Sequence, residues 1–449
     1  MIEEPIMKNK LYKKRMGSFQ QMLSRTKLDN GLTVVYEQIP NVRSVAIGFW
    51  VTCGSRNEAH DEQGISHLIE HMLFKGTKQR SARKIAETID AVGGILNAFT
   101  TKEYTCYYVK ILDQHLRLGL DLLADMVINS LFAEEELEKE KNVILEELRM
   151  YEDNPDELIY DLLVEALLKD HPLGHPILGT PESIAQIDRN KLIHYKEGYY
   201  TAENSCLAIA GNFEVSQLLE ESNHFWQQLP KNLPLVQNCP VQTRGTTCLR
   251  RKETEQVHLC VGVPGFHRHH QDRYPLLVLN NILGGSSSSR LFQELREERG
   301  LVYSTGAYYG AFRDTGIFSI YAGTSIKNFP QVLSLIREEL NRLQKEAVPA
   351  EELARAKEQI KGNLWLSLEN TINRMSRLAK SELFYGRFLP PEEVLAKVEK
   401  VTAEDIIRLS RLLFEKDQLT LMALGPFQKN KTEEYLKGWK LNVPSASKS

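Results

Sequence analysis

The sequence predicts an α+β protein of two homologous domains, each a mostly antiparallel β-sheet packed with α-helices, related by internal duplication. Three observations carry this. Strand-like and helical stretches follow one another in the same order in both halves. "FAEEELEKEKNVILEEL" (132–148) aligns with "VPAEELARAKEQIKGNL" (348–364) at a constant offset: Glu136 falls on Glu352, Lys141 on Lys357, Ile144 on Ile360 and Leu148 on Leu364. Between the halves, residues 229–247 carry three prolines and little periodicity, as a linker does. The expected domains are therefore 25–228 and 248–430.

The elements can be justified in order. Asn30-Gly31, between two short strand-like runs, predicts a type I′ hairpin. "SVAIGFWVTCGS" follows as a strand ending at Gly54, and then a helix that contains His67-Leu-Ile-Glu-His71. "SARKIAETIDAVGG" reads as a second helix, stopped by Gly93-Gly94. "ILNAFTTKEYTCYYVKIL" has the aromatic and β-branched content of two strands, with a turn near Lys102-Glu103. Long helices are expected near 114–128 and 134–151. In the second half, "EQVHLCVGVPGF" is a strand. "RYPLLVLNNILGGSSSSRLFQELREERG" is a helix, a Gly/Ser loop and another helix. "LVYSTGAYYGAFRDTGIFSIYAG" is strand-rich, and long helices follow near 330–345 and 349–368.

Composition excludes several function classes. The chain has 449 residues, 42% hydrophobic and 26% charged, with a formal net charge of -3. That is ordinary globular composition with room for a large core. Nothing in it argues for nucleic acid or an anionic membrane as partner. No apolar run reaches the roughly 18 residues of a membrane-spanning helix. The first residues are basic but lack the apolar core of a secretory signal, and Glu3 and Glu4 argue against an organelle-targeting segment. Six cysteines, Cys53, Cys106, Cys206, Cys239, Cys248 and Cys260, form no Cys-x-x-Cys pair. They read as scattered thiols in a reducing compartment, so a cytoplasmic protein is expected.

The chemistry concentrates at His67, Glu70 and His71. Residues i and i+4 share one face of a helix, so the two imidazoles can hold one ion. Zinc suits two neutral imidazoles, and a catalytic zinc takes three protein ligands and one open position. Glu70 flanks the same face, where a general base would stand. A third ligand must come from elsewhere. The acidic helix "EEELEKEKNVILEELRMYE" offers Glu140 and Glu147, two turns apart on one face, with Glu146 turned away. In the second half, Glu140 falls on Ala356 and Glu147 on Asn363, and the corresponding helix "YPLLVLNNILGG" holds no histidine. One copy carries the whole constellation and the other none of it. Lone histidines such as His115, His194 and His258 read as surface or satisfied core residues.

His67-x-x-Glu70-His71 is the inverted zinc motif. With "GISHLIEHMLFKGT", "GGILNAFTTKEYTCYY" and "NVILEELRMYEDNPDE" it resembles the pitrilysin-family (inverzincin) zinc metallopeptidases, especially the β subunit of the mitochondrial processing peptidase and its short bacterial relatives. The resemblance runs from about Leu28 to Leu424. It implies zinc, one ion per chain, held by His67, His71 and Glu147, with Glu140 supporting the site from behind. It implies Glu70 as general base, and Asn97, Ala98 and Phe99 as the strand that receives an extended peptide. It also implies Arg296 and Tyr303, in "LREERGLVY", as donors to the substrate carbonyl.

Larger relatives close four such domains around the peptide, so two domains imply a dimeric chamber, a homodimer or a heterodimer with a related chain. The expected function is a zinc-dependent endopeptidase acting on peptides or precursor segments. The alternative is a non-catalytic structural or binding subunit of the same fold.

Overall fold

The computed structural model describes residues 23–169, 171–232, 245–415, 417–437 and 439. Most of the linker expected at 229–247 lies outside the described residues. The chain forms two compact units, each built on its own sheet.

The first unit comprises residues 23–145, 177–232 and 366–389. Its strands are β1 (Leu23–Lys27), β2 (Thr33–Gln38), β3 (Ser44–Val51), β4 (Ile95–Thr100), β5 (Thr105–Leu112) and β6 (Ser205–Gly211). They lie in the order β1-β2-β6-β3-β5-β4, with β2 and β6 parallel and the other neighbours antiparallel. β3 and β6 are buried along almost their whole length, which explains their unbroken apolar runs. Helices α1 (Ile65–Met72), α2 (Ala82–Asp90), α3 (Leu116–Asn129) and α4 (Glu134–Glu152) lie along the first half of the chain. α4 runs across the division between the units, which falls at 145/146.

One sheet face is covered by the helix Thr371–Tyr385. Its Met375, Leu378 and Ala379 pack on Ala46, Trp50 and Ala208. Gly48 permits that approach, because a Cβ there would lie 2.5 Å from Met375 Sδ. On the other side α3 also comes close: a Cβ on Gly119 would lie 2.9 Å from Ile47 Cδ1.

The first hairpin differs from the expected type I′ turn. Leu28 N donates to Leu32 O, Gly31 N donates to Leu28 O, and of the turn residues only Gly31 has a positive φ, 90°. The loop therefore has three residues, Asp29 to Gly31. It is a type I turn closed by a left-handed glycine, so Asn30 need not take the positive φ that type I′ demands.

The second unit comprises residues 146–176, 245–365 and 390–439. β7 (Thr247–Arg251), β8 (Val257–Gly265), β9 (Val302–Ala311), β10 (Gly316–Thr324) and β11 (Thr420–Gly425) lie in the order β7-β11-β8-β10-β9. β7 and β11 are parallel and the rest antiparallel, the same sequence of pairings as β2-β6-β3-β5-β4. The helix Ala350–Ser367 is separated from the start of α4 by the same interval as Glu352 from Glu136. The helix expected after the Gly/Ser loop is a π-helix, Phe292–Glu298.

The units are not consecutive stretches of chain. α5 (Pro155–Leu167), from the first half, packs Ile159, Leu163 and Leu167 against Cys260, Met422 and Leu424 of the second sheet. The helix Thr371–Tyr385, from the second half, covers the first sheet. Apolar burial is non-directional, so an open sheet face accepts a matching apolar helix from either half.

Candidate metal centre

α1 buries Ile65, Leu68, Ile69 and Met72, an i, i+3, i+4, i+7 stripe against the core. That stripe turns His67, Glu70 and His71 to the other side, where all three are partly exposed. The rings of His67 and His71 stand 4.6 Å apart. α4 brings Glu147 to them, and one ligand atom from each of His67, His71 and Glu147 lies within 4.8 Å of the others.

The surroundings prepare these groups for a cation. Burial, helped by the neighbouring His71, pushes His67 down to about 3, so its imidazole is neutral with a lone pair to offer. His71 Nδ1 lies 3.0 Å from Glu140 Oε2. A carboxylate oxygen accepts there, so Nδ1 carries the proton and Nε2 keeps the lone pair. Glu140 is 4% exposed, and its other oxygen receives Lys75 Nζ at 2.7 Å. Two neutral imidazoles and one carboxylate form the donor set of a three-ligand catalytic zinc site, and these residues fit that ion.

Glu70 is steadied by Thr100, whose Oγ1 donates to Glu70 Oε2 at 2.5 Å. Thr100 ends β4, the end strand of the first sheet. Asn97 is exposed on that strand and its Oδ1 accepts from Ala98 N at 2.8 Å. Phe99 instead turns to the core, edge-on to Trp50 with centroids 5.6 Å apart.

In the second unit, Arg296 and Tyr303 are brought together. The Arg296 guanidinium lies 4.8 Å from the Phe292 ring centroid and 6.0 Å from that of Tyr303, with Glu297 Oε1 at 3.9 Å. Tyr303 is 76% exposed on the end strand β9. Arg296 rides on the π-helix, a form frequent at functional sites. A cavity of about 620 Å³ in the same unit is lined by Tyr151, Tyr160, Tyr308, Tyr321, Asp156 and Glu157. His258 is half-buried and held by two residues of that lining, with Asp156 Oδ1 at 2.5 Å and the Tyr321 hydroxyl at 3.0 Å.

Thr100 and Lys75 touch candidate site residues that the motif did not link them to. Lys75 follows His71 by four residues but lies beyond the end of α1 at Met72, so helical spacing does not point to it. Thr100 follows the "LNAF" run directly, but nothing in its spacing links it to Glu70.

Comparison with known proteins gives the family. The family model described as "Insulinase (Peptidase family M16)" matches residues 33–181, and that described as "Peptidase M16 inactive domain" matches 186–360. A Bacillus subtilis protein described as uncharacterized zinc protease YmxG is 45% identical over 88% of this chain and 97% of its own length. The chain belongs to peptidase family M16. This is the pitrilysin-type family its motifs resemble. A Streptomyces coelicolor protein described as uncharacterized zinc protease SCO5738 is 37% identical over 90% of each chain. These relatives support a peptidase role and zinc as the metal.

Solved structures share the fold. A protease from Helicobacter pylori superposes with a TM-score of 0.82 at 22% identity, covering 90% of this chain and 99% of that one. A chain of complex III2 from Candida albicans does so with 0.78 at 22% identity, covering 92% and 99%. Among the described residues, no helix is long and apolar enough to cross a membrane.

Proposed function

We propose that this chain is a zinc-dependent endopeptidase that hydrolyses peptides or precursor segments, bound in extended form inside a dimeric chamber. The observation that carries the reading is the convergence of His67, His71 and Glu147, with Glu70 on the same helix as the histidines. Zinc, one ion per chain, supplies Lewis acidity that polarises the scissile carbonyl and acidifies water. Glu70 takes a proton from the attacking water and passes it to the leaving amine, so that the peptide C–N bond breaks to carboxylate and amine. Glu140 holds the tautomer of His71, and Lys75 neutralises Glu140. Arg296 and Tyr303 donate hydrogen bonds to the carbonyl oxygen as negative charge develops on it.

The peptide adds as a strand along β4, through the backbone at Asn97, Ala98 and Phe99, with Asn97 Oδ1 releasing Ala98 N to it, because a sheet's end strand can offer its outward donors and acceptors to one further strand. The chamber is a homodimer in which Arg296 and Tyr303 serve the partner's zinc. Residues 25–228 and 248–430 are the limits of the duplicated domains. The scattered thiols favour a cytoplasmic site of action.

The reading is tested by metal content. His67→Ala, His71→Ala and Glu147→Ala are each expected to lose the zinc that the wild type holds at one per chain, while Glu70→Gln keeps it. Full zinc occupancy in folded Glu147→Ala would remove that residue from the ligand set.

A further inference from the structure

The helix that carries the histidines has no cap of its own. α1 begins after Gly64, which has φ of 90° and no side chain to accept a hydrogen bond. A capping residue cannot replace it: a Cβ on Gly64 would lie 2.7 Å from the Leu178 carbonyl oxygen and 2.6 Å from Ile184 Cδ1. The N–H groups at the start of a helix need acceptors all the same. Two of these backbone donors find theirs on Glu58. Gly64 N donates to Glu58 Oε2 at 2.8 Å and Ser66 N donates to Glu58 Oε1 at 2.9 Å.

Glu58 is only 4% exposed. Burial pushes its carboxyl up to about 8, against the pull of the Ser66 and Gly64 donors and of Lys102. Burying such a group is costly, and a short surface cap would satisfy a helix end at less expense. What a two-oxygen grip adds is a fixed position. The grip continues into the core. Ser66 Oγ lies 3.0 Å from the Tyr195 hydroxyl, which lies 3.2 Å from Cys53 Sγ. Ser66 immediately precedes His67.

We propose that Glu58 is a positioning residue of the metal centre: by holding the N–H groups of Gly64 and Ser66 together, it sets the place and rotation of α1 and so presents His67 and His71 to one ion. The inference rests on the zinc reading above. At its other end the helix is held through His71, Glu140 and Lys75. The donor atoms are thus fixed from both ends, as a preformed site requires.

The test uses Glu58→Gln, which keeps one acceptor, and Glu58→Ala, which keeps none. Zinc affinity is measured by chelator competition. Amide hydrogen exchange of residues 64–72 is measured in zinc-free protein. Ser81→Ala is the control, because it removes the side-chain cap of α2, a helix without candidate ligands, where Lys84 N donates to Ser81 Oγ at 3.2 Å.

Zinc affinity is expected to fall about 10-fold in Glu58→Gln and up to about 100-fold in Glu58→Ala. Exchange over 64–72 should quicken in the same order, and Ser81→Ala should change neither. Wild-type affinity in both folded Glu58 variants overturns the proposal, and so does unchanged exchange. An equal loss of affinity in Ser81→Ala also overturns it, because general destabilisation would then explain the effect. Should Glu58→Ala fail to fold, Glu58→Gln decides alone. A wild type that binds no zinc is the failure of the zinc reading itself, visible before any variant is made.

Discussion

Glu70 and Glu140 carry the same functional group, and their neighbours divide the work between them. Glu140 is buried between His71 Nδ1 and Lys75 Nζ, so both its oxygens are engaged, one by a candidate ligand and one by a cation. Glu70 is partly exposed, and one oxygen receives the Thr100 hydroxyl. That bond fixes the carboxylate's orientation. Hydrogen bonds to charged groups contribute about 1.5–3 kcal/mol, so Thr100→Val is expected to lower kcat roughly 10-fold or more. Zinc content should be unchanged, and Thr100→Ser should restore the rate. A loss of zinc, or no rescue by serine, would show that Thr100 acts through general structure instead. The His-x-x-Glu-His run was legible because its spacing matches one turn of helix. The Thr100 contact was not, because it joins a helix to a strand 30 residues away and leaves no period in the sequence.

Sequence periodicity and turn chemistry marked many elements: the long helices near 134–151 and 349–368, the hairpin of β4 and β5, and the central strand β3, whereas β6 and the helices between 155 and 226 were not read from the sequence. The misses have physical causes. Asn-Gly suggested a two-residue turn, but Gly31 alone supplies the left-handed position in a three-residue loop. The π-helix around Arg296 differs from an α-helix in its i→i+5 hydrogen bonds and wider turn, which composition does not encode. The exchange of helices was invisible because α5 and the helix Thr371–Tyr385 have ordinary apolar faces that do not say which sheet they cover. For α5 the exchange matters chemically. It carries Asp156, Glu157 and Tyr160 to a cavity walled by further tyrosines. Aromatic faces beside carboxylates suit an ammonium or guanidinium group. A peptide library is expected to show a preference for Arg or Lys near the cut, weakened about 10-fold or more in Glu157→Gln by loss of a charge-assisted contact. Equal cleavage of basic and neutral peptides by the wild type would remove this cavity from substrate selection.

The duplication seen in sequence is repeated in topology, since both sheets share one parallel pair followed by three antiparallel pairs. Only the first sequence copy carries His67, Glu70, His71 and Glu147, the candidate zinc constellation, and only the second carries Arg296 and Tyr303. If those donors serve a partner's zinc, two inactive variants should complement each other. A mixture of Glu70→Gln and Arg296→Ala, dissociated and reassociated, should regain activity, because a mixed dimer holds one complete site. Activity no greater than that of the separate variants would place the donors and the zinc in one chain. The central claim is that Glu70 and zinc together cut a peptide bond. Its most direct test is cleavage of an unstructured, quenched fluorescent peptide by wild type and Glu70→Gln, each with and without a zinc chelator. Turnover is expected only in the zinc-loaded wild type. Undiminished turnover in zinc-loaded Glu70→Gln, or in the wild type after zinc is removed, would contradict it.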